Sequence, residues 1–392
     1  MAIQKCSSKS LYTNSMINTF MDVEKLTLSK TKCHKLHIGK QNSECPALKV
    51  DGEKMNDSDQ EVYLGDVIHK NNKNKPNVDR RKARGYGIIN EILVIVNEIP
   101  LAHWKMKAGL HLRQAMLING ILFNTEAWHN ISDKDIIILE KVDEALLRGL
   151  LSAHSKTPLE ALYLETGTLP FRFILKSRRL SYLHNILQKP DNEMIKKIYE
   201  TQKINPSPGD FSELIKDDMI SISLKMTETE ISKLRKQKFK DIVKKKVRNA
   251  AFEYLNSMKQ KHSKMRNIEY DSLKLQPFLD SPIFNLETRN LLFRLRTRTV
   301  SGVRADFKGI YSDISCPLKC GENDTLENIL SCKEILSIYK STSVCHGQTN
   351  YSDIFSKNIT KQQEVSELYR KFIEIRNERI SQPVARLVPC IV

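Results

Sequence analysis

The segment from Lys233 to Arg248 constrains the fold most, because it combines dense positive charge with regular apolar spacing. It holds nine lysines and arginines against a single acid, Asp241. Apolar residues recur through and beyond it at helical spacing, at Ile231, Leu234, Ile242, Val243, Val247, Ala250, Tyr254 and Met258. The helical period is about 3.6 residues. The segment therefore predicts an amphipathic helix with one buried stripe and one strongly basic face.

This basic face has two interpretations. A row of lysines and arginines can neutralise phosphates and release counterions, which produces salt-dependent binding without choice of sequence. The alternative is a face that is merely solvated. Because solvated faces usually mix both signs of charge, the near absence of acids favours nucleic acid as the partner. The predicted contacts are Lys236, Lys240, Lys244, Lys245 and Arg248.

The composition agrees with a basic globular protein. The chain has 392 residues, of which 40% are apolar, and a formal net charge of +17. Such an excess favours RNA or DNA as partner, because the charge lies in helix-like segments and not in a tail. No apolar run approaches the roughly 18 residues that span a bilayer, and residues 1–10 lack the apolar core of a signal peptide. The eight cysteines are too sparse for a disulfide framework. We therefore expect no membrane partner and a location in the nucleus or cytoplasm.

The order of patterns predicts a mostly α fold with a short N-terminal β-hairpin. Residues 33–38 and 61–68 alternate in character and are predicted to be two strands that pair across an acidic loop. Helical periods dominate from Val78 to Leu150, with breaks predicted at Pro100 and Gly120. Further helices are predicted over 173–187 and 211–222, separated by a Pro-rich linker at 205–209.

A second basic cluster comprises Arg294, Arg296 and Arg298, with Arg304 nearby. If residues 293–299 form a strand, alternation places the three arginines on one face, where they could contact nucleic acid. If the segment is a helix packed through its leucines, the arginines fan out and the prediction weakens. Both interpretations stay open at this stage.

Three cysteines suggest a small metal site. Cys316 and Cys320 form a close pair on a tight turn, and Cys332 follows twelve residues later. Zinc takes four nitrogen or sulfur ligands, so these residues supply three and predict a zinc site. Asn328 stands where a histidine would complete the set, and Cys345 or His346 could reach in instead. The alternative is free cysteines in a loop.

The sequence shows no motif for catalysis or for binding of nucleotide phosphates. The chain contains neither a Gly-rich phosphate loop nor a G-x-S-x-G motif. Asp217 and Asp218 diverge on the predicted helix and are expected to be solvated, so no magnesium site is predicted. We expect no catalytic residue and no small-molecule substrate.

Several segments, taken in order, resemble the C-terminal part of a non-LTR retrotransposon reverse transcriptase. They lie at 26–33 (LTLSKTKC), 63–65 (YLG), 126–128 (EAW), 157–167 (TPLE…YLETG), 177–180 (SRRL), 293–298 (FRLRTR) and 316–332 (CP…C). The resemblance implies that Lys32 lies near the incoming nucleotide and that Tyr63 and Gly65 belong to the turn that positions the primer. It also implies a thumb-like helical region and a C-terminal knuckle.

The same resemblance divides the chain into five regions: a palm end (1–75), a thumb-like region (76–204), a basic helical region (210–310), a Cys-rich knuckle (311–346), and a C-terminal helix and tail (350–392). The sequence departs from the family in two respects. The palm motifs with the metal-binding aspartates, including Tyr-x-Asp-Asp, do not precede this segment, and Asn328 replaces the knuckle histidine. We therefore expect a truncated, nucleic-acid-binding protein without synthesis. The alternatives are a helical module that docks an acidic protein and a non-functional fossil of the element.

Overall fold

The computed structural model describes residues 33–36, 49–50, 53–63, 65–71, 73–128, 131–265, 268–300, 302–307, 311–342 and 351–381. Within these ranges the chain is mostly helical, which confirms the predicted fold class. Lys32, Cys345 and His346 lie outside the described residues, so the predictions made for them stay predictions.

Short strands precede the helices. They are β1 (His34–Leu36), β2 (Lys49–Val50), β3 (Glu53–Lys54), β4 (Asn56–Ser58), β5 (Gln60–Tyr63) and β6 (Asp66–His69). The predicted single strand over 61–68 is wrong, because Gly65 adopts φ +89° and reverses the chain between β5 and β6. These two strands therefore form the hairpin themselves. The predicted pairing of 33–38 with 61–68 is also wrong, since β1 pairs in parallel with β4.

The β5–β6 hairpin is fixed to the first helix, α1 (Lys75–Glu98). The Asn77 side chain accepts a hydrogen bond from the Val67 backbone amide at 2.5 Å and donates to the Val67 carbonyl at 2.7 Å. One turn further along, Arg81 binds Asp66 at 2.7 Å. Residues at helical spacing on α1 thus pair with one edge of the hairpin.

The helices that follow form the body of the protein. They are α2 (Ala102–Leu112), α3 (Asp133–Leu151), α4 (Leu159–Thr166), α5 (Phe171–Leu187), α6 (Met194–Ile204), α7 (Phe211–Ser221), α8 (Glu228–Lys233), α9 (Lys236–Lys259), α10 (Pro277–Asp280), α11 (Leu286–Arg296), α12 (Leu326–Ser331), α13 (Lys333–Thr342) and α14 (Ile359–Ser381). A π-helical segment, Arg113–Ile118, continues α2 into a last turn that contains Gly120. The predicted breaks at Pro100 and Gly120 therefore fall at the two ends of this long helix.

The hydrophobic core runs without interruption from Val78 to Phe372. The linker at 205–209 separates α6 from α7, as predicted, yet buried residues on both sides of it belong to the same cluster. Within it α5 and α9 pack along each other, as α1 and α3 do, and α9 also packs on α4. The first and second halves of the sequence therefore share one core.

Buried arginine–carboxylate pairs tie the helices together. Arg113 contacts Asp143 through two hydrogen bonds of 2.6 Å, and Arg179 contacts Asp218 at 2.6 and 2.7 Å. The expectation that Asp218 is solvated is wrong, because α5 and α7 pack so that its carboxylate neutralises Arg179 in the interior. Only Asp217 lies at the surface, as expected for its neighbour on a helix.

Candidate nucleic-acid interface and cysteine cluster

The predicted amphipathic helix exists as α9. Its fully buried stripe consists of Phe239, Val243, Val247, Ala251 and Leu255, which recur every four residues. Four-residue recurrence keeps side chains on one face of a helix, and this face packs against α5 and α4. The stripe differs in part from the predicted one, because Ile242, Ala250, Tyr254 and Met258 are only half-buried.

The opposite face of α9 carries lysines that point to solvent. We call the exposed set Lys236, Lys238, Lys240, Lys244, Lys245 and Lys246 the basic face. None of them forms an ion pair with any residue of the described ranges. The one nearby acid, Asp241, accepts a hydrogen bond from the Gln237 amide at 3.0 Å. Six positive charges therefore have no carboxylate partner in the part of the chain that the structure describes.

The start of α9 adds to this positive potential. Its first turn contains lysines and no acidic residue, and Arg235 at the N-cap makes no side-chain capping hydrogen bond. The N-terminus of a helix carries a partial positive charge, so most proteins place acids there. Here Lys236 and Lys238 reinforce that charge instead. This arrangement opposes helix stability locally and attracts anions.

Arg248 does not belong to the basic face. Its guanidinium is half-buried and donates to the backbone carbonyls of Gly167, at 3.0 Å, and Leu273. Burial lowers the pKa of Arg248, but the group keeps its role as a donor that joins α9 to the end of α4. We therefore withdraw Arg248 from the predicted phosphate contacts and assign it a structural role.

Arg294 and Arg296 lie in the last turn of α11, and Arg298 follows its C-cap, so the three side chains do not share one face as a strand would require. Arg296 is buried, and its Nε donates to Glu165 at 2.8 Å. Arg298 turns toward Glu327 and Asp306, with φ +50°. Arg294 is half-buried and donates to the Ser152 carbonyl at 3.2 Å. Because these guanidinium groups already have protein partners, we withdraw Arg294, Arg296 and Arg298 as a phosphate-binding face.

Two residues assigned to primer positioning lie on the β5–β6 hairpin. Tyr63 ends β5 and is 39% exposed, and Gly65 occupies the turn. Tyr63 is exposed and Gly65 is half-buried. The described contacts bring neither of them to the basic face of α9, so their role stays a prediction that rests on the resemblance.

The structure brings the three predicted cysteines together. Their sulfur atoms all lie within 4.8 Å of one another. A tight turn with left-handed residues at Lys319 and Gly321 places Cys316 and Cys320 side by side, and Cys332 enters from the end of α12. Sulfurs around a tetrahedral zinc are about 3.8 Å apart, given a zinc–sulfur distance of about 2.3 Å. The group can therefore hold a metal ion after a small contraction.

Asn328 occupies the side of the cluster where a fourth ligand would stand. Its amide nitrogen lies 3.5 Å and its amide oxygen 3.7 Å from Cys320 Sγ. Burial of Cys320 tends to raise the pKa of its thiol, but hydrogen bonds from the Glu322 backbone and from Asn328 outweigh it and lower that pKa. Burial raises the pKa of Cys332 to about 11. Asn328 thus favours the thiolate of Cys320 as donor.

The sequence alone did not single out every residue of this interface. Lys238 lies on the basic face but was not among the predicted contacts. A helical projection centred on Phe239, which fixes the buried direction of the helix, places Lys238 about 100° away and so predicts its exposure. Ile242 lies at the margin of the buried face.

No family model, curated protein or solved structure matches this chain. Within the described ranges, no helix is both long and apolar enough to cross a membrane. The basic face and the cysteine cluster are therefore the features of this chain that indicate its function.

Proposed function

We propose that the protein binds RNA or DNA through phosphate contacts on the basic face of α9. The observation that carries the proposal is the set of exposed lysines without a carboxylate partner in the described structure. Unpaired cations on a rigid helix gain most when they meet phosphates, because each contact releases condensed counterions. Lysine is a point charge without a preferred base edge, so the binding is independent of sequence.

The arrangement suits a linear polyanion. Lys236, Lys240 and Lys244 follow one another at four-residue intervals, about 6 Å apart along the helix axis. The row therefore spans about 12 Å and leads away from the positively charged helix start. A backbone lying along this row meets several lysines at once, while α4 and α5 hold the helix in place from behind.

We extend the proposal with the resemblance to non-LTR retrotransposon reverse transcriptases. In that view the hairpin and the helical body correspond to the end of a palm and a thumb, and the chain holds a template or primer in the nucleus or cytoplasm. The proposal assigns binding to this chain and no chemical step. The cysteine cluster, in the same view, holds zinc as a structural ion.

The zinc proposal rests on the donor set. Three convergent sulfurs suit a borderline-soft ion, and thiolate donors favour zinc over magnesium or calcium. When bound, the ion would join the 316–320 turn to α12. Titration of the reduced protein with cobalt, followed by the sulfur-to-cobalt charge-transfer absorption, tests this. The absence of that absorption would reject a thiolate metal site.

The direct test of nucleic-acid binding is a fluorescence-anisotropy titration with labelled single-stranded and duplex RNA and DNA, from 50 to 200 mM salt. The triple variant K236Q/K240Q/K244Q removes one row of the basic face. We expect weaker binding to every sequence and a salt slope that is shallower by up to about three, since each lost duplex phosphate contact removes about 0.9.

Two controls separate local contacts from net charge. K134Q/K216Q/K361Q changes the same number of charges at exposed lysines elsewhere and should leave the slope nearly unchanged. Arg248→Gln removes a charge from the back of α9 and should also leave it unchanged. Equal losses in both triple variants would contradict the proposal. Tight binding of an acidic peptide, with no binding of nucleic acid at 50 mM salt, would favour an acidic protein partner instead.

A further inference from the structure

A small cavity lies between the end of α1, the start of α2, the end of α3 and α11. Its volume is about 60 Å³, and its walls include the apolar side chains Leu93, Met106, Leu150 and Phe293. Arg289 and Asn290, at successive positions of α11, are among the polar residues of the wall, together with Asn97, Lys105 and Ser152. A site of this kind, mostly apolar with a few converging polar groups, is typical of small-ligand pockets.

Arg289 is the unusual component of this cavity. Its side chain is buried, with 2% of the residue exposed, and its Nη2 donates to the Ser281 carbonyl. Its Nε and Nη1 have no hydrogen-bond partner within the described structure. The neighbouring carboxylate, Asp280, contacts Lys107 Nζ at 2.7 Å instead. A buried guanidinium stays charged, and here Asp280 acts on it only from a distance, so no carboxylate of the described structure forms an ion pair with Arg289.

The other buried arginines show how this protein normally satisfies such a group. Each of them contacts a carboxylate: Arg81 with Asp66, Arg113 with Asp143, Arg179 with Asp218, Arg296 with Glu165, and Arg376 with Asp324. Among the arginines buried in the described ranges, Arg289 alone has no such partner. It is also the one that lines the cavity.

We propose that this cavity binds a small carboxylic acid, with its carboxylate against Arg289 and a short apolar chain against Leu93, Met106 and Phe293. The anion supplies the countercharge that the chain provides for every other buried arginine. A charge-assisted hydrogen bond to a buried guanidinium is strong, and the apolar walls favour a hydrocarbon tail. The volume limits the tail to a few carbons, because one water already needs at least about 10–15 Å³.

The test is thermal unfolding of the full chain in sodium acetate, propionate, butyrate and inorganic phosphate, each compared with sodium chloride at equal ionic strength. A ligand that binds only the folded state raises the Tm in a saturable way. We expect such a rise with the carboxylates, largest for the acid whose tail fills the cavity. Phosphate should give no rise, because it has no apolar part to fill the cavity.

Three variants test whether the rise in Tm comes from binding in the cavity. Arg289→Met should weaken the apparent affinity by about tenfold or more, the loss expected when a hydrogen bond to a charged group is removed. Ala102→Leu fills the cavity and leaves Arg289 in place, so it should also abolish the rise. Arg370→Met removes a guanidinium that binds Thr288, outside the cavity. This variant should keep the rise in Tm with carboxylates.

Each outcome either supports the proposal or contradicts it. A carboxylate-specific rise that is lost in Ala102→Leu supports the proposal even if Arg289→Met fails to fold. No rise beyond chloride, a rise with phosphate alone, or a rise that persists in Ala102→Leu would overturn it. None of these results depends on whether the basic face binds nucleic acid.

Discussion

Arg296 Nε donates to a Glu165 carboxylate oxygen at 2.8 Å in the interior, although 131 residues separate them in sequence. The same carboxylate oxygen accepts a hydrogen bond from the Tyr270 hydroxyl at 2.7 Å. The Arg296 guanidinium lies over the rings of Phe278 and Phe355. This one contact therefore joins α4 in the first half of the chain to α11 in the second. Removal of either partner leaves the other buried and unpaired.

We expect Glu165→Gln and Arg296→Met each to lower the free energy of unfolding by about 3–5 kcal/mol, because each leaves one buried charge unpaired. The double variant should lose less than the sum of the two. Chemical denaturation measures all three. Lys357→Met removes a partner from the exposed pair with Asp271 and serves as the control, with no measurable change expected. Additive losses in the double variant would contradict a direct coupling.

The cysteine cluster makes a prediction about its fourth position. Asn328 lies against Cys320 Sγ, and a histidine there would add the ligand that completes a three-cysteine, one-histidine set. We expect Asn328→His to bind cobalt and zinc more tightly than the wild type, and Cys320→Ser to bind them more weakly. Competition with a chelator of known affinity measures both. A weaker site in Asn328→His would show that its side chain cannot turn toward the sulfurs.

Asp306 makes stability depend on pH. Burial is the largest influence and raises its pKa from the ordinary 3.8 to about 6, against the opposing charge of Arg298. Between about pH 4 and pH 6 the folded state keeps a proton that the unfolded state has released, so the wild type loses stability as the pH rises through this window. The full loss, present above pH 6, is at most about 3 kcal/mol.

Asp306→Asn lacks this titration. We expect its stability relative to the wild type to increase from pH 4 to pH 7, as measured by denaturation at each pH. Asp313→Asn is the control, because hydrogen bonds from Ser315 lower the pKa of that exposed carboxylate and no such gain should follow. A constant difference between Asp306→Asn and the wild type would contradict the raised pKa.

Gly167 ends α4 in the left-handed region, at φ +64°. A Cβ at this position would overlap the backbone of Lys274 and Leu275, which cannot move aside cheaply. Gly87 lies within α1, and a Cβ there would meet nothing within 4 Å. We therefore expect Gly167→Ala to destabilise the protein strongly and Gly87→Ala to stabilise it by up to about 1 kcal/mol. Denaturation midpoints of the two variants compare them directly, and similar midpoints would contradict the close approach at Gly167.

The sequence predicted those features that depend on local spacing. The helices over 173–187 and 211–222, the basic side of α9 and the meeting of the three cysteines all follow from periodicity or from a short turn. Charged residues were harder to place. Asp218, Arg248 and Arg296 have the same local appearance as solvated residues, and only distant partners take them into the interior.

The prediction of the strands was wrong for a different reason. Residues 61–68 alternate well enough for one strand, and the reversal depends on the backbone conformation of a single glycine, Gly65. The alternation of polar and apolar residues does not indicate whether the backbone angle φ of a given residue is positive or negative. The cavity beside Arg289 could not be predicted either, because it exists only where three consecutive helices, α1 to α3, meet the distant helix α11.

The buried pair of Glu165 and Arg296 also bears on how the chain is made. A ribosome adds about 5–20 residues per second, so Arg296 is synthesised about 7 to 26 seconds after Glu165. In the first part of that interval, before residues 236–270 are made, the carboxylate of α4 lacks both Tyr270 and Arg296, and the groove that receives α9 is uncovered. The first half of the chain therefore cannot complete its interior until the second half has been synthesised.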